Sequence, residues 1–325
     1  MKHTILGKSE LDVSRIAFGT WQLGGDWGPT DTAAAMDAIR RAADGGVTFF
    51  DTAQGYGFGQ SEQLLAAALR RVPRHEVVIA TKGGLRPEGA GIVRDASAAW
   101  IRQGVEASLH ALGTDYVDLY QVHWPDPATP FEETADELGK LVADGKILHV
   151  GVSNFDVEQM EAFSATLPVE TLQPPYHLFR REIEESILPY TRAHDIGVLV
   201  YGPLGHGLLS GHLRPDTQFA AGDWRGSSDA FRGDAYRDNL AKVTDLDRLA
   251  REDLGITLSQ LAMAWTLANP AVHVAIVGTR DPAHVDEAVA AASISLDGAV
   301  VGRIDEIMRG TAPVAGPSPE GMPAS

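Results

Sequence analysis

The chain has 325 residues, 44% of them hydrophobic, enough to bury a large core either as two domains or as one α/β barrel, and the barrel needs fewer assumptions. A formal charge of −17 repels nucleic acid and anionic membrane at long range but leaves room for one local basic pocket for a phosphorylated cofactor. The absence of cysteine removes disulfides, thiolate metal sites and cysteine nucleophiles; with no apolar run of about 20 residues and no signal-peptide core in MKHTILGKSE, a soluble, cytoplasmic protein is expected.

After a short hairpin-like start, apolar β-type runs alternate with amphipathic helical runs from Ile16 to about Ala292. Strands are predicted at 16–19, 48–51, 77–81, 117–121, 148–152, 171–173, 198–201 and 274–277, eight in all. Between them, Leu64, Leu65, Ala68 and Leu69 share one helix face, as do Trp100, Val105, Leu109 and Leu112. Gly45-Gly46, Gly145 and Gly197 stand where a helix ends in a left-handed cap before the next strand. The stretch from Gly202 to about Tyr236, after the seventh strand, is too long for an ordinary connection and is expected to be functional or mobile. The tail from Thr311, with prolines at 313, 317, 319 and 323, is expected to be irregular, either disordered or folded back over the barrel mouth. The fold class is therefore α/β: a (β/α)8 TIM barrel over 1–310 with an N-terminal β-hairpin and a long loop after strand 7, followed by a Pro-rich tail at 311–325. No linker, composition break or internal repeat argues for a second domain.

In such a barrel the active site forms at the C-terminal ends of the strands. Asp51, Lys82 and His123 each occupy such an end, and Tyr56 lies in the glycine-flanked turn GYGFG that can bend its phenol back into the mouth. Lys82 after a buried strand is costly as a lone charge, and Asp51 is the nearest carboxylate able to compensate it. An ammonium beside Tyr56 stabilises the phenolate, so the phenol can give a proton to a carbonyl oxygen near neutrality while His123 orients that oxygen by a hydrogen bond. Taken singly, Asp51 reads more readily as a helix cap, Lys82 as a surface residue and His123 as structural; their common placement favours one site. Trp21 and Trp124, at strand ends one and four, are expected to line an apolar, aromatic substrate pocket. GYGFGQ fails the G-x-G-x-x-G dinucleotide pattern at its sixth position, and neither a phosphate-binding G-x-x-x-x-G-K-[ST] nor an H-E-x-x-H or other clustered metal ligand set occurs, so no metal is expected.

FGTWQLGG, DTAQGYGFGQSE, LYQVHWPDP, GKILHVGVSNF, QPPYHLFRRE and VYGPLGHGLLSG together resemble the aldo-keto reductases, notably the bacterial general-stress and inositol-metabolism-related branch, across essentially the whole chain. The resemblance implies a (β/α)8 barrel using NADPH or NADH, with Asp51, Tyr56, Lys82 and His123 as catalytic tetrad and Tyr56 as general acid. It implies that Ser153, Asn154 and Gln173 bind the nicotinamide carboxamide and that Tyr201 stacks on the ring; a hydroxyl, two amides and an aromatic face at successive strand ends suit such a ring. Gly202, Leu204 and Leu209 resemble the segment that straddles the pyrophosphate, with Arg225 contributing. GTRDPAHVDEA resembles the adenosine-2′-phosphate loop, where backbone amides at a helix start meet the phosphate, and Gly278, Thr279, Arg280, His284 and Glu287 match its positions. Here the chain departs from the family: His284 replaces a second arginine, Asp281 adds a negative charge beside Arg280, and Ala288 replaces the adenine-binding asparagine. NADPH is the implied cofactor, with NADH the alternative, and the expected activity is reduction of a small aldehyde or ketone by hydride transfer, as a monomer or small homo-oligomer. Some barrels of this family act instead with partners such as potassium channels, which leaves a cofactor-sensing regulatory subunit as the rival reading. A barrel isomerase or lyase using Lys82 covalently is the third.

Overall fold

The computed structural model describes residues 1–24, 31–89, 91–220 and 223–317. An antiparallel hairpin, β1 (His3–Ile5) and β2 (Asp12–Ser14), opens the chain. The barrel strands are β3 (Ile16–Gly19), β4 (Phe49–Asp51), β5 (Val78–Gly83), then, after a second hairpin of β6 (Leu85–Glu88) and β7 (Gly91–Arg94), β8 (Val117–Val122), β9 (Ile147–Ser153), β10 (Thr171–Gln173), β11 (Gly197–Tyr201) and β12 (Val274–Gly278). All eight pair in parallel, and Ala17 of β3 faces both Phe49 and Ile276, which closes the sheet. Their runs are largely apolar because a closed parallel sheet is buried on both faces. Leu6 and Val13 of the opening hairpin pack with Ala17, Phe49, Ala80 and Leu119, so the hairpin plugs the barrel floor.

The helices are α1 (Thr32–Asp44), α2 (Gln60–Leu69), α3 (Ala98–Leu112), α4 (Phe131–Ala143), α5 (Val157–Ser164), α6 (Ile187–Ala193), α7 (Gly233–Arg248), α8 (Leu258–Ala268), α9 (Pro282–Ala291) and α10 (Gly298–Ile307). The buried face of α2 is as expected at Leu65, Ala68 and Leu69. On α3 the inner face is Ile101, Val105, Leu109 and Leu112, while Trp100 is half-buried and donates its indole N–H to Leu85 O (3.0 Å), binding the helix to the second hairpin. Gly46 and Gly145 have the left-handed φ expected of caps, but Gly197 does not. Asp195 makes that left-handed turn, and Gly197 is a glycine because a Cβ there would lie 2.7 Å from Leu6 O of the floor.

The connection after β11 is ordered by aromatic packing. Trp224 and Phe219 both meet the Phe231 ring edge-on at 5.7 Å, and the Arg225 guanidinium lies 4.8 Å over Phe219. Burial alone would raise the Asp223 carboxyl, but hydrogen bonds from Arg225 outweigh it and hold the group ionised below its ordinary range. Residues 221–222 of this connection lie outside the described residues. The tail turns back: Asn239 exchanges two hydrogen bonds with the Ala312 backbone (3.0 and 3.1 Å), Val314 N donates to Phe179 O (3.1 Å), and Val314 is fully buried. Gly316 and Pro317 thereby reach the barrel mouth; 318–325, with Pro319 and Pro323, lie outside the described residues. Among the described residues no helix is long and apolar enough to cross a membrane.

Candidate active site

Side chains from β4, β5 and β8 meet at the C-terminal mouth of the barrel. The Lys82 side chain is fully buried, and its ammonium donates to Asp51 Oδ1 (2.5 Å), Thr52 O (3.0 Å) and the Tyr56 hydroxyl (3.4 Å). Tyr56 reaches that position because its turn closes through Tyr56 N to Ala53 O (3.1 Å) and packs against Gly24, where a Cβ would lie 2.8 Å from Tyr56 Cα. Burial pushes the Lys82 ammonium below the ordinary lysine range, and the Asp51 charge and hydrogen bond pull it back up. The His123 ring stands edge-on to Tyr56 at 5.6 Å, and burial first, the Lys82 charge second, hold it neutral well below the usual histidine range. Its Nδ1 is buried and has no hydrogen-bond partner among the described residues.

A second group joins the tetrad from β9, β10 and β11. Gln173 Nε2 donates to Asp51 Oδ2 (2.8 Å), Ser153 Oγ to Gln173 O (2.8 Å), Asn154 Nδ2 to His123 O (3.0 Å), and Tyr201 OH to Asn154 Oδ1 (2.9 Å). Asn154 sits at φ 62°, a left-handed conformation that asparagine tolerates better than most side chains, and this turns its amide inward. The four residues expected to hold a carboxamide-bearing ring are thus linked to one another and to Asp51.

The mouth opens into a cavity of about 550 Å³ that runs from Asp51 and Tyr56 to the start of α9. Trp21, Trp124, Gly202, Leu204, Arg225, Gly278, Thr279, Arg280, His284 and Glu287 all line it. Leu209 does not: its side chain is fully buried in the core. At the far end the Asp281 carboxylate caps α9 by accepting from Ala283 N (2.9 Å), Thr279 Oγ1 meets His284 Nδ1 (3.3 Å), and the Thr257 hydroxyl donates to Glu287.

A model of the aldo/keto reductase family matches residues 15–309. The chain belongs to that family. Aldo-keto reductase YhdN of Bacillus subtilis is 43% identical over 288 residues, 88% of this chain and 87% of the relative. The NADH-specific methylglyoxal reductase of Escherichia coli is 34% identical over 92% of this chain and 96% of its own. Among solved structures, the glycerol dehydrogenase AKR11B4 of Gluconobacter oxydans superposes with a TM-score of 0.87 at 38% identity, covering 95% of each chain. This aldo-keto reductase is accordingly an oxidoreductase that pairs a nicotinamide cofactor with a carbonyl substrate.

Sequence reasoning missed several residues of the site. Gln121, fully buried, donates to Asp51 Oδ2 (3.4 Å) and accepts from Gln173 (3.3 Å); an amide near the C-terminal end of the wholly buried strand VDLYQV is the signal that marks it. Glu62 of α2 accepts from the Thr81 hydroxyl (2.6 Å) behind the sheet and adds a second negative potential at Lys82. Leu85 and Ile92 of the second hairpin line the cavity, as does His206, whose left-handed backbone no local pattern announces.

Proposed function

We propose that this aldo-keto reductase is an NADPH-dependent reductase of aldehydes or ketones in which Tyr56 is the general acid, Lys82 and Asp51 tune it, and His123 orients the carbonyl oxygen. The observation that carries the reading is the Tyr56 hydroxyl 3.4 Å from a fully buried ammonium that is itself paired with a carboxylate. The residues present fit a dinucleotide. The cavity extends from the tetrad, past the linked Ser153, Asn154, Gln173 and Tyr201, to Arg280 and His284 at its far end. When bound, the cofactor supplies a hydride to the carbonyl carbon. Tyr56 gives its proton to the developing alkoxide, and the Lys82 charge stabilises the phenolate left behind. The neutral His123 ring donates a hydrogen bond without competing as an acid, and Trp21 and Trp124 wall the substrate side.

For the adenosine end, Arg280 and His284 support NADPH. Asp281 works against it, since its carboxylate already occupies the Ala283 N–H and repels a phosphate. Because a relative is named NADH-specific, both nucleotides are titrated, with quenching of tryptophan fluorescence as the readout, and a carbonyl panel follows with the tighter one. Tyr56→Phe is expected to bind nucleotide nearly as the wild type while losing about two or more orders of magnitude in turnover. Turnover at the wild-type level in that variant, or failure of both nucleotides to bind, overturns the reading. The same reading has the enzyme in the cytoplasm, as a monomer or small homo-oligomer whose partner is the small carbonyl compound.

A further inference from the structure

We propose that Glu62 is a positioning residue of the reaction: from behind the barrel sheet its ionised carboxylate is a second counter-charge that keeps the Lys82 ammonium protonated beside Tyr56. The inference rests on the reading of Tyr56 as general acid. Glu62 stands in the first turn of α2, a helix whose other buried residues include Leu65, Ala68 and Leu69, and it is itself fully buried. A carboxylate in such a setting without compensation is far costlier than an aliphatic side chain filling the same space. Thr81 Oγ1 donates to its Oε1 (2.6 Å). Thr81 and Lys82 are neighbours on β5, where successive side chains point to opposite faces, so Thr81 faces α2 while Lys82 faces the barrel mouth. A single strand therefore separates the carboxylate from the ammonium, and both groups are fully buried.

The groups around Glu62 offer it one cation. β5 presents Thr81 and Lys82, α3 presents Ser108 and β8 presents Tyr120, and of these Lys82 and Tyr120 are the titratable groups that interact with it. Burial raises the Glu62 carboxyl above its ordinary range, and the Thr81 hydroxyl, the Ser108 hydroxyl and then the Lys82 charge oppose that rise. Oε2 has no hydrogen-bond partner among the described residues; the Ser108 hydroxyl favours the charged form from nearby while falling short of hydrogen-bond geometry. Tyr120 stays neutral, because burial first and the Glu62 charge second push its phenol up. Two glycines make room for that phenol: a Cβ on Gly83 would overlap the hydroxyl, and one on Gly104 would lie 3.0 Å from it. The sheet and α3 are thus built around a polar group at a place where apolar packing would serve the fold alone. On the other face of β5 the Asp51 carboxylate is shared between Lys82 and the Gln173 and Gln121 amides. With one ammonium between two carboxylates, loss of a proton from the Lys82 and Tyr56 pair adds to an excess of buried negative charge, and each carboxylate opposes it.

The first readout needs no cofactor. In nucleotide-free protein isotope-labelled at lysine Cε, the Lys82 resonance is assigned by its loss in Lys82→Met and followed against pH by NMR. Glu62→Gln keeps the volume and an acceptor for Thr81, and is expected to lower the pH at which Lys82 gives up its proton by about half a unit or more. Glu62→Asp, which keeps the charge, is expected to shift it by less than the glutamine variant does. The second readout is the alkaline limb of kcat/KM for reduction of one aldehyde, where the proton donor is lost. In Glu62→Gln this limb is expected to move down by about half a unit or more, with the plateau below it within about threefold of wild type and the nucleotide Kd within about twofold. If the glutamine variant does not fold, Glu62→Met combined with Thr81→Val, an apolar pair of similar volume, carries the same expectation. Lys82 titrating within about 0.2 unit of wild type in a folded variant overturns the assignment. Turnover lost equally at every pH alongside a lower urea midpoint, or failure of both variants to fold, makes Glu62 structural and also overturns it. The acid reading fails separately, by wild-type turnover in Tyr56→Phe, whatever the Lys82 titration shows.

Discussion

Replacing Asp51 by asparagine leaves the fully buried Lys82 ammonium without the counter-charge that stands 2.5 Å away. Two unit charges 4 Å apart at an effective dielectric of about 20 attract by about 4 kcal/mol, and breaking one side of a buried pair costs about 3–5 kcal/mol in measured cases. The ammonium can escape part of that cost by shedding its proton, so we expect Asp51→Asn to lose about 3 kcal/mol at pH 7 and at least about 100-fold in turnover. The pH dependence follows from the direction of the shift. Lys82 has a folded-state pKa below its ordinary 10.5, so its contribution to stability is fully present above the unfolded value and is lost as pH falls through the folded one. The substitution drives the folded value lower still, so the difference between variant and wild type should be widest near neutrality and narrow as pH rises toward the ordinary lysine range, where loss of the proton relieves the stranded charge. Urea unfolding at pH 7 and pH 10 reads this directly. Adding Lys82→Met removes the stranded charge and should return stability to within about 1 kcal/mol of wild type, with turnover still absent. Equal urea midpoints for wild type and Asp51→Asn at pH 7 would refute the charge-pairing argument.

Arg280→Ala is expected to weaken NADPH binding about tenfold or more while moving NADH less than about threefold, read by parallel fluorescence titrations. Val314→Asp places a carboxylate at a fully buried position that seats the tail on Phe179; it is expected to cost about 2–4 kcal/mol and to make the chain beyond residue 310 readily cleaved by a nonspecific protease.

The barrel was legible because parallel strands buried on both faces read as largely apolar runs alternating with amphipathic helices, and the four strand-end residues were legible because barrel topology turns strand ends into neighbours. The second hairpin escaped because LRPE and GIVR are short, with a proline in one and a glycine in the other, and gain their strand character only by pairing with each other and holding Trp100. The tail was open between two outcomes in the sequence, since its seat is set by Asn239 and Phe179, which lie far earlier in the chain than their partners Ala312 and Val314. Gly197 was read as a cap from its place before a strand; the hairpin floor pressing on it is a contact between distant segments that no local pattern encodes.

On the proposed reading, Asp51 ties proton delivery to ring binding. Its Oδ1 holds the ammonium beside Tyr56, and its Oδ2 accepts from Gln173 and, more weakly by distance, from Gln121. Gln173 in turn accepts from Ser153 through its backbone oxygen, and Ser153 accepts from Asn154, whose amide also reaches back to His123 O. Every residue assigned to the carboxamide therefore lies within a few hydrogen bonds of the carboxylate that keeps Lys82 charged. A ring amide that draws Gln173 into a new hydrogen bond shifts the balance at Asp51, because Asp51, Gln121, Ser153 and Gln173 are all buried and water does not readily replace a lost partner there. The arrangement links occupation of the cradle to the strength of the Asp51 and Lys82 pair, which is the pair that governs Tyr56. On that reading, binding the ring and readying the acid are two ends of one hydrogen-bonded network centred on Asp51.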